Sequence, residues 1–205
     1  MRFREFISRT RNLPVFNLND IRKINPGFHR QQLTDWLDRA YIQSIAGGYY
    51  ALADRFINEP FLYMVANKLY EPSYISLESA LAYYHVIPET VLGVTSISSR
   101  KTKQFESKWG TFSYRSVKSL YMFGYEVVES DESIKYMIAR LEKAVLDYLY
   151  LNPQVNTVED FEGLRWNKQE LIKIKKCSLL QDYLKIFYKR SLEYRVATLM
   201  RYLDA

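Results

Sequence analysis

His29, Arg30, Gln31, Gln32 and Thr34, with Arg39 further along, are side chains of the kind that read or grip a polynucleotide. Arg pairs bidentately with guanine and Gln with adenine, and all of them can also hydrogen-bond phosphate oxygens. A second set, Arg100, Lys101, Lys103, Lys108 and Arg115, is interleaved with Phe105, Trp109, Phe112 and Tyr114. Cations among aromatic rings can neutralise phosphates while the rings stack on bases. Alternating aromatics in a strand equally make one face of a core. Hydrolytic chemistry has thinner material. Glu89 followed by Glu106-Ser107-Lys108 is the minimal acid, acid-x-lysine set of a metal-dependent nuclease, in which carboxylates hold Mg²⁺ and the lysine stabilises charge. Two carboxylates at so permissive a spacing are common by chance. His29 and His85 have no cysteine or acid at ligand spacing. Cys177, the one cysteine, has no histidine partner in sequence and reads as a small buried side chain in a reduced protein. Seven glycines include no phosphate-binding loop. No catalytic set, no metal site and no cofactor is expected, so the chain reads as a non-enzyme.

The elements that must position the first set follow from spacing. Residues 2–10 form an amphipathic helix, with Phe3, Phe6 and Ile7 on one face. Pro14 keeps Leu13–Phe16 extended. Asn17 or Asn19 caps a helix through Ile24, and Asn25-Pro26-Gly27 breaks it. A further helix from about His29 to Ala40 buries Leu33, Trp36 and Leu37. Gln31, Thr34, Asp35 and Asp38 then face outward, flanked by Gln32 and Arg39. Tyr41–Ile45 and Tyr49–Leu52 read as strands joined across Ala46-Gly47-Gly48. That order is the winged helix-turn-helix, whose second helix presents its N-terminal residues to base edges. Two features pull the other way. Asp35 and Asp38 repel phosphate, and the wing tip Ser44–Gly48 carries no basic residue. A winged helix used only for protein contact is the alternative.

Beyond a connector at 53–58, a helix runs from Pro60 to about Tyr70, and Ser76 caps another over Leu77–His85. Strands are expected over 91–99, over Lys103–Ser107 with Thr111–Val117 as a hairpin around Trp109-Gly110, and over Leu120–Val128. Ile134, Met137, Ile138, Leu141, Val145, Leu146 and Leu149 predict a five-turn helix starting near Ser133. Thr157 caps a short acidic helix, and two more cover about 168–188 and 191–203. The fold class is α+β: a winged helix-turn-helix at 1–55, then at 56–205 an α+β domain with an antiparallel sheet and a helical C-terminal half.

The hydrophobic fraction of 48% over 205 residues supplies a core and excludes a disordered chain. No apolar run approaches the roughly 18–20 residues that span a bilayer, and the N-terminus lacks the apolar stretch of a signal peptide, so a cytoplasmic protein without membrane contact is expected. The net charge of +6 is uneven. Residues 95–118 carry 6 Lys+Arg against 1 acid, whereas residues 126–162 carry 3 against 9, which puts basic faces beside an acidic segment. Such blocks suit nucleic-acid contact or simply solvated faces.

Two sets of motifs resemble a known family. Val15-Phe-Asn-Leu-Asn-Asp-Ile-Arg22, Leu33, Trp36 and Gly48-Tyr-Tyr-Ala-Leu52 look like the N-terminal winged helix of AbiEi-type antitoxins. Tyr74-Ile-Ser-Leu-Glu-Ser-Ala-Leu81, Val94-Thr-Ser96, Arg100-Lys-Thr102 and Gly110-Thr-Phe-Ser-Tyr-Arg115 look like that family's following domain and are the more specific set. The resemblance covers roughly residues 10–120. It implies an antitoxin and transcriptional autorepressor of a type IV, abortive-infection toxin–antitoxin operon. Its partners would be operator DNA with inverted repeats and a nucleotidyltransferase toxin. The operator role would fall on His29–Thr34 and on the hairpin Ile42–Leu52. The neutral wing tip departs from the basic one common in the family, and no catalytic set is implied.

Overall fold

The computed structural model describes residues 1–10, 13–88, 93–131, 133–175 and 177–204. Its first elements are α1 (Phe3–Thr10), β1 (Phe16–Asn17), α2 (Leu18–Ile24), α3 (Arg30–Asp38), β2 (Ile42–Ser44) and β3 (Tyr49–Leu52). Asn17 starts α2 through a full capping box: its side chain accepts from the Asn19 and Asp20 N–H groups, and Asp20 accepts from Asn17 N–H at 3.0 Å. The three strands form an antiparallel sheet in the order β1-β3-β2. Phe6, Phe16, Ile21, Phe28, Leu33, Trp36 and Ile42 bury one cluster between helices and sheet. Each such side chain stabilises by about 1.5–3 kcal/mol.

The rest comprises α4 (Glu59–Leu69), β4 (Ser73–Ile75), α5 (Leu77–Tyr83), β5 (Val94–Ser98), β6 (Lys103–Ser107), β7 (Gly110–Ser116), β8 (Tyr125–Glu129), β9 (Lys135–Ala139) and α6 (Leu141–Leu151). It closes with α7 (Val158–Gly163), α8 (Lys168–Lys175), α9 (Leu179–Phe187) and α10 (Arg190–Asp204). The fold is α+β. Its larger sheet has the order β6-β7-β5-β4-β9-β8, and both β4–β9 and β5–β7 are parallel. The sheet is therefore mixed, not antiparallel as expected. On one face, Tyr114 donates to the Ala66 carbonyl of α4 at 2.7 Å, and the Asn67 side chain accepts from Met137 N–H at 2.6 Å. On the other face lie α5 and α6.

Several expected elements are corrected. The five-turn helix from Ser133 is instead strand β9 followed by α6. Ile134, Tyr136 and Ile138 alternate as well as recurring at helical spacing, and pairing with β4 and β8 selects the period of two. The strand expected over Leu120–Val128 is a 3₁₀ turn at Ser119–Tyr121, a bend at Gly124 with φ +70°, and then β8. The helix expected over 168–188 is broken into α8 and α9. Cys177, in that break, is exposed, not buried. Among the described residues no helix is long and apolar enough to cross a membrane.

Candidate nucleic-acid interface

Helix α3 is held from behind. Leu33 and Trp36 are buried, and the Trp36 ring lies 5.1 Å from Phe3 and 4.8 Å from Phe6. With that stripe inward, His29, Arg30, Gln31, Thr34, Asp35, Asp38 and Arg39 are exposed. His29 occupies the N-cap position without a side-chain capping bond. Gln32 is half-buried and its amide donates to the Met1 carbonyl at 3.4 Å. At 100° per residue, Gln31, Asp35 and Asp38 occupy the middle of the open face. Arg30 and Thr34 lie along one side, Gln32 and Arg39 along the other. The helix thus spreads the first-set residues along both edges of its open face, with Gln31 and the acids at its centre.

The hairpin β2–β3 behaves differently. Ile45 and Ala46, at its tip, are 3% and 5% exposed because the tip packs on α4 and β6. Gly47 has φ +55°, and a Cβ there would lie 2.5 Å from Leu69 Cδ1 and 3.1 Å from Phe105 Cε1. Tyr49 donates its hydroxyl to the Lys68 carbonyl at 3.1 Å, and Lys108 Nζ donates to Gln43 Oε1 at 3.2 Å. The operator role implied for residues 42–52 therefore cannot use Ile45 or Ala46 in this arrangement. Their surface is already covered.

The second basic set does not form one stripe. Arg100 sits 4.1 Å over the Tyr70 ring and donates to the Glu71 carbonyl. Lys103 lies 4.6 Å over Phe105, and Lys108 lies 4.3 Å over Trp109. Lys103 is in register with Tyr114, so Arg115, the next residue, points to the opposite face of the sheet. There it lines a cleft of about 570 Å³ with Leu77, Glu78, Thr95, Gln104 and Ser113, and Lys103 also borders that cleft. Lys101 is exposed in the β5–β6 connection. Phe112 and Tyr114 are core residues, at 2% and 1% exposure, so this alternation is that of a buried face.

For the nuclease set, Glu89 lies outside the described residues. Glu106 accepts from Gln104 Nε2 at 2.7 Å and from Thr111 Oγ1 at 2.8 Å, while Lys108 is turned to Trp109 and Gln43. Among the described residues no three His, Cys, Asp or Glu side chains gather as a metal site.

Two constellations escaped sequence reasoning. Lys143 and Asp147 form an ion pair with no exposed side-chain surface at all. Asp147 also accepts from Tyr74 and Ser76, each at 2.9 Å, and Lys143 donates to the Tyr74 hydroxyl at 2.8 Å. The rings of Tyr74, Phe123 and Phe187 lie 5.0–5.3 Å from the ammonium. Burial lowers the Lys143 pKa and raises that of Asp147, each opposed by the partner charge. Sealed this way, the network has no route to substrate; it ties α6 to β4. The other constellation is the arginine pair Arg2 and Arg4 beside α3. The Arg-x-Arg spacing at the head of an amphipathic helix was the available signal. Compared with known proteins, the sequence matches no protein-family model and no curated protein.

Proposed function

We propose that this chain is a DNA-binding antitoxin: a transcriptional autorepressor that reads operator DNA through α3 and counteracts a nucleotidyltransferase toxin. The observation that carries the DNA-binding half is the element order α1-β1-α2-α3-β2-β3, the winged-helix order, with the polar face of α3 left open. Arg30 and Gln31 are the base readers in this reading, and Thr34 contacts sugar or phosphate. The antitoxin half rests on the motif resemblance over residues 10–120. Both partners are cytoplasmic, and the chain is assigned there.

The test is an electrophoretic shift with a duplex from the region upstream of its own gene. Arg30→Ala and Gln31→Ala are each expected to weaken the specific complex by about 1–3 kcal/mol and to relax sequence preference. Absence of any sequence-dependent shift at low salt would overturn the repressor role. A second reading has its own support: Asp35 and Asp38 at the centre of the open face, and a hairpin tip with Ile45 and Ala46 buried and no basic residue, suit a module that contacts protein alone. Co-purification with the product of the neighbouring gene, without duplex binding, selects it.

A further inference from the structure

We propose that Arg2, Arg4 and Arg39 form a phosphate clamp along one side of α3, taking a flanking backbone contact that the hairpin tip, with Ile45 and Ala46 buried and no basic residue, does not supply. The proposal rests on the DNA-binding reading above and adds to it the residues that hold the duplex backbone. These three arginines, with Phe3, Trp36 and Tyr41, line a cleft of about 720 Å³. Its floor is rigid. Trp36 is 6% exposed, and Phe3 stacks on Tyr41 with centroids 4.6 Å apart and planes 22° from parallel. The arginines themselves are exposed, and none makes a salt bridge or side-chain hydrogen bond among the described residues. Glu5, the acid nearest in sequence, is engaged by Arg9 at 3.0 Å.

Position matters more than charge alone. The bond from Gln32 to the Met1 carbonyl fixes the start of the chain beside the first turn of α3. Arg39 lies at the other end of the same helix, as its C-cap. From Gln32 to Arg39 the helix rises about 10 Å, at about 1.5 Å per residue. Meanwhile Asp35 and Asp38 repel phosphate from the middle of the exposed face. Phosphate is therefore favoured along the sides of α3, and this side carries three guanidinium groups without a salt bridge among the described residues. Arginine forks also suit phosphate oxygens better than a point charge does.

The full-length chain, its Arg2→Ala/Arg4→Ala/Arg39→Ala variant and the corresponding triple-lysine variant are titrated against two duplexes of about 30 base pairs, long enough to cover a single site. One duplex is the upstream region and the other a shuffled sequence. Each lost phosphate contact lowers the slope of log K against log salt by about 0.9, so the alanine variant should lose about 2.7. Between about 50 and 200 mM salt, the wild-type affinity should then fall about 40-fold further than the variant's. The loss should be equal on both duplexes, and the lysine variant should keep most of the slope. The three single alanine variants should each lose about 0.9, so the result does not hang on the triple variant. An unchanged slope alongside sequence-dependent wild-type binding overturns the clamp and leaves the operator reading standing. A reduced slope on duplexes that the wild type does not distinguish supports the clamp and overturns operator reading. Binding to neither duplex overturns both.

Discussion

Replacing Asp147 by alanine should be among the most destabilising single changes in this chain, at about 3–5 kcal/mol, because it strands a buried charge. The Lys143 ammonium would keep one hydrogen-bond partner, the Tyr74 hydroxyl at 2.8 Å, in a site without solvent exposure. Removing both charges together, as Lys143→Met/Asp147→Leu, leaves only the Tyr74 and Ser76 hydroxyls without their acceptor, at about 1–3 kcal/mol each. Adding Tyr74→Phe and Ser76→Ala removes those orphans, and methionine lies well among the Phe123 and Phe187 rings. The quadruple variant is therefore expected to match or exceed wild-type stability, as apolar replacements of buried ion pairs often do. Urea unfolding followed by circular dichroism orders the variants, with the slope m compared to check that each unfolds the same surface. The pH dependence carries a sign. Asp147 binds its proton more tightly in the folded chain, so its contribution is present below the ordinary value of 3.8 and is lost as pH rises through the raised one. Lys143, with its pKa lowered from 10.5, recovers its contribution as pH rises from that lowered value. Measured against the quadruple variant, wild type should be weakest between the raised Asp147 value and the lowered Lys143 value, and should gain toward either side. An Asp147→Ala cost below about 1 kcal/mol, the level of an exposed pair, would refute the sealed-charge argument. So would a quadruple variant no more stable than Asp147→Ala.

Gly47→Val should lift the hairpin from α4 and β6, since a Cβ at φ +55° would stand 2.5 Å from Leu69 Cδ1. Amide exchange at residues 45–49 should rise by at least about tenfold, or about 1.4 kcal/mol, while β5 and β7 keep their protection; unchanged exchange at the tip would count against the packing described. Asp160 accepts the Asn156 and Thr157 N–H groups at 2.9 Å, and these bonds hold its carboxyl below the usual 3.8. Its support of α7 is therefore complete above that value and lost as pH falls through the lowered one, so exchange across 158–163 should accelerate only in that acid window and Asp160→Asn should abolish the step.

Local chemistry was legible where one or two residues decide the outcome. Asn17 and Thr157 both cap helices through reciprocal boxes, and the turn at Trp109-Gly110 sets the β6–β7 register. What was hidden depends on partners distant in sequence. Ile134–Ile138 fits both periods, and only β4 and β8 on its two sides make it a strand. The three residues of β4 are too few to carry a pattern. Lys143 and Asp147 have the i, i+4 spacing of an ordinary surface pair. Their burial follows from Tyr74, Phe123 and Phe187, which reach them from other elements. Ser76 was legible as the residue before α5, but its hydroxyl serves Asp147 and makes no capping bond. On the basic hairpin, the alternation was visible, yet it separates Arg115 from Lys103 across the sheet instead of joining them.

The missing positive charge at Ile45 and Ala46 has a physical cause independent of DNA. Ile45 and Ala46 are buried in the larger core, a Cβ at the neighbouring Gly47 would abut Leu69 and Phe105, and Lys108 reaches in from the second sheet to Gln43 at 3.2 Å. A lysine at either buried position would have its ammonium desolvated, a penalty of several kcal/mol. A strongly polar side chain at Gly47 would meet the same two side chains at van der Waals contact or closer. Packing therefore keeps Ile45 and Ala46 neutral whether or not α3 meets DNA, whereas Ser44 and Gly48 are exposed and their neutrality is not set by packing. The acids at the centre of α3 are a different matter, because nothing in the fold requires Asp35 or Asp38 to be charged: both are exposed and neither is in a salt bridge among the described residues. In the DNA-binding reading they are free to accept the amino group of cytosine while discouraging indiscriminate contact with phosphate. Asp35→Asn and Asp38→Asn would then strengthen binding to the shuffled duplex more than to the upstream one, whereas a helix serving only protein contact would show no duplex binding to strengthen.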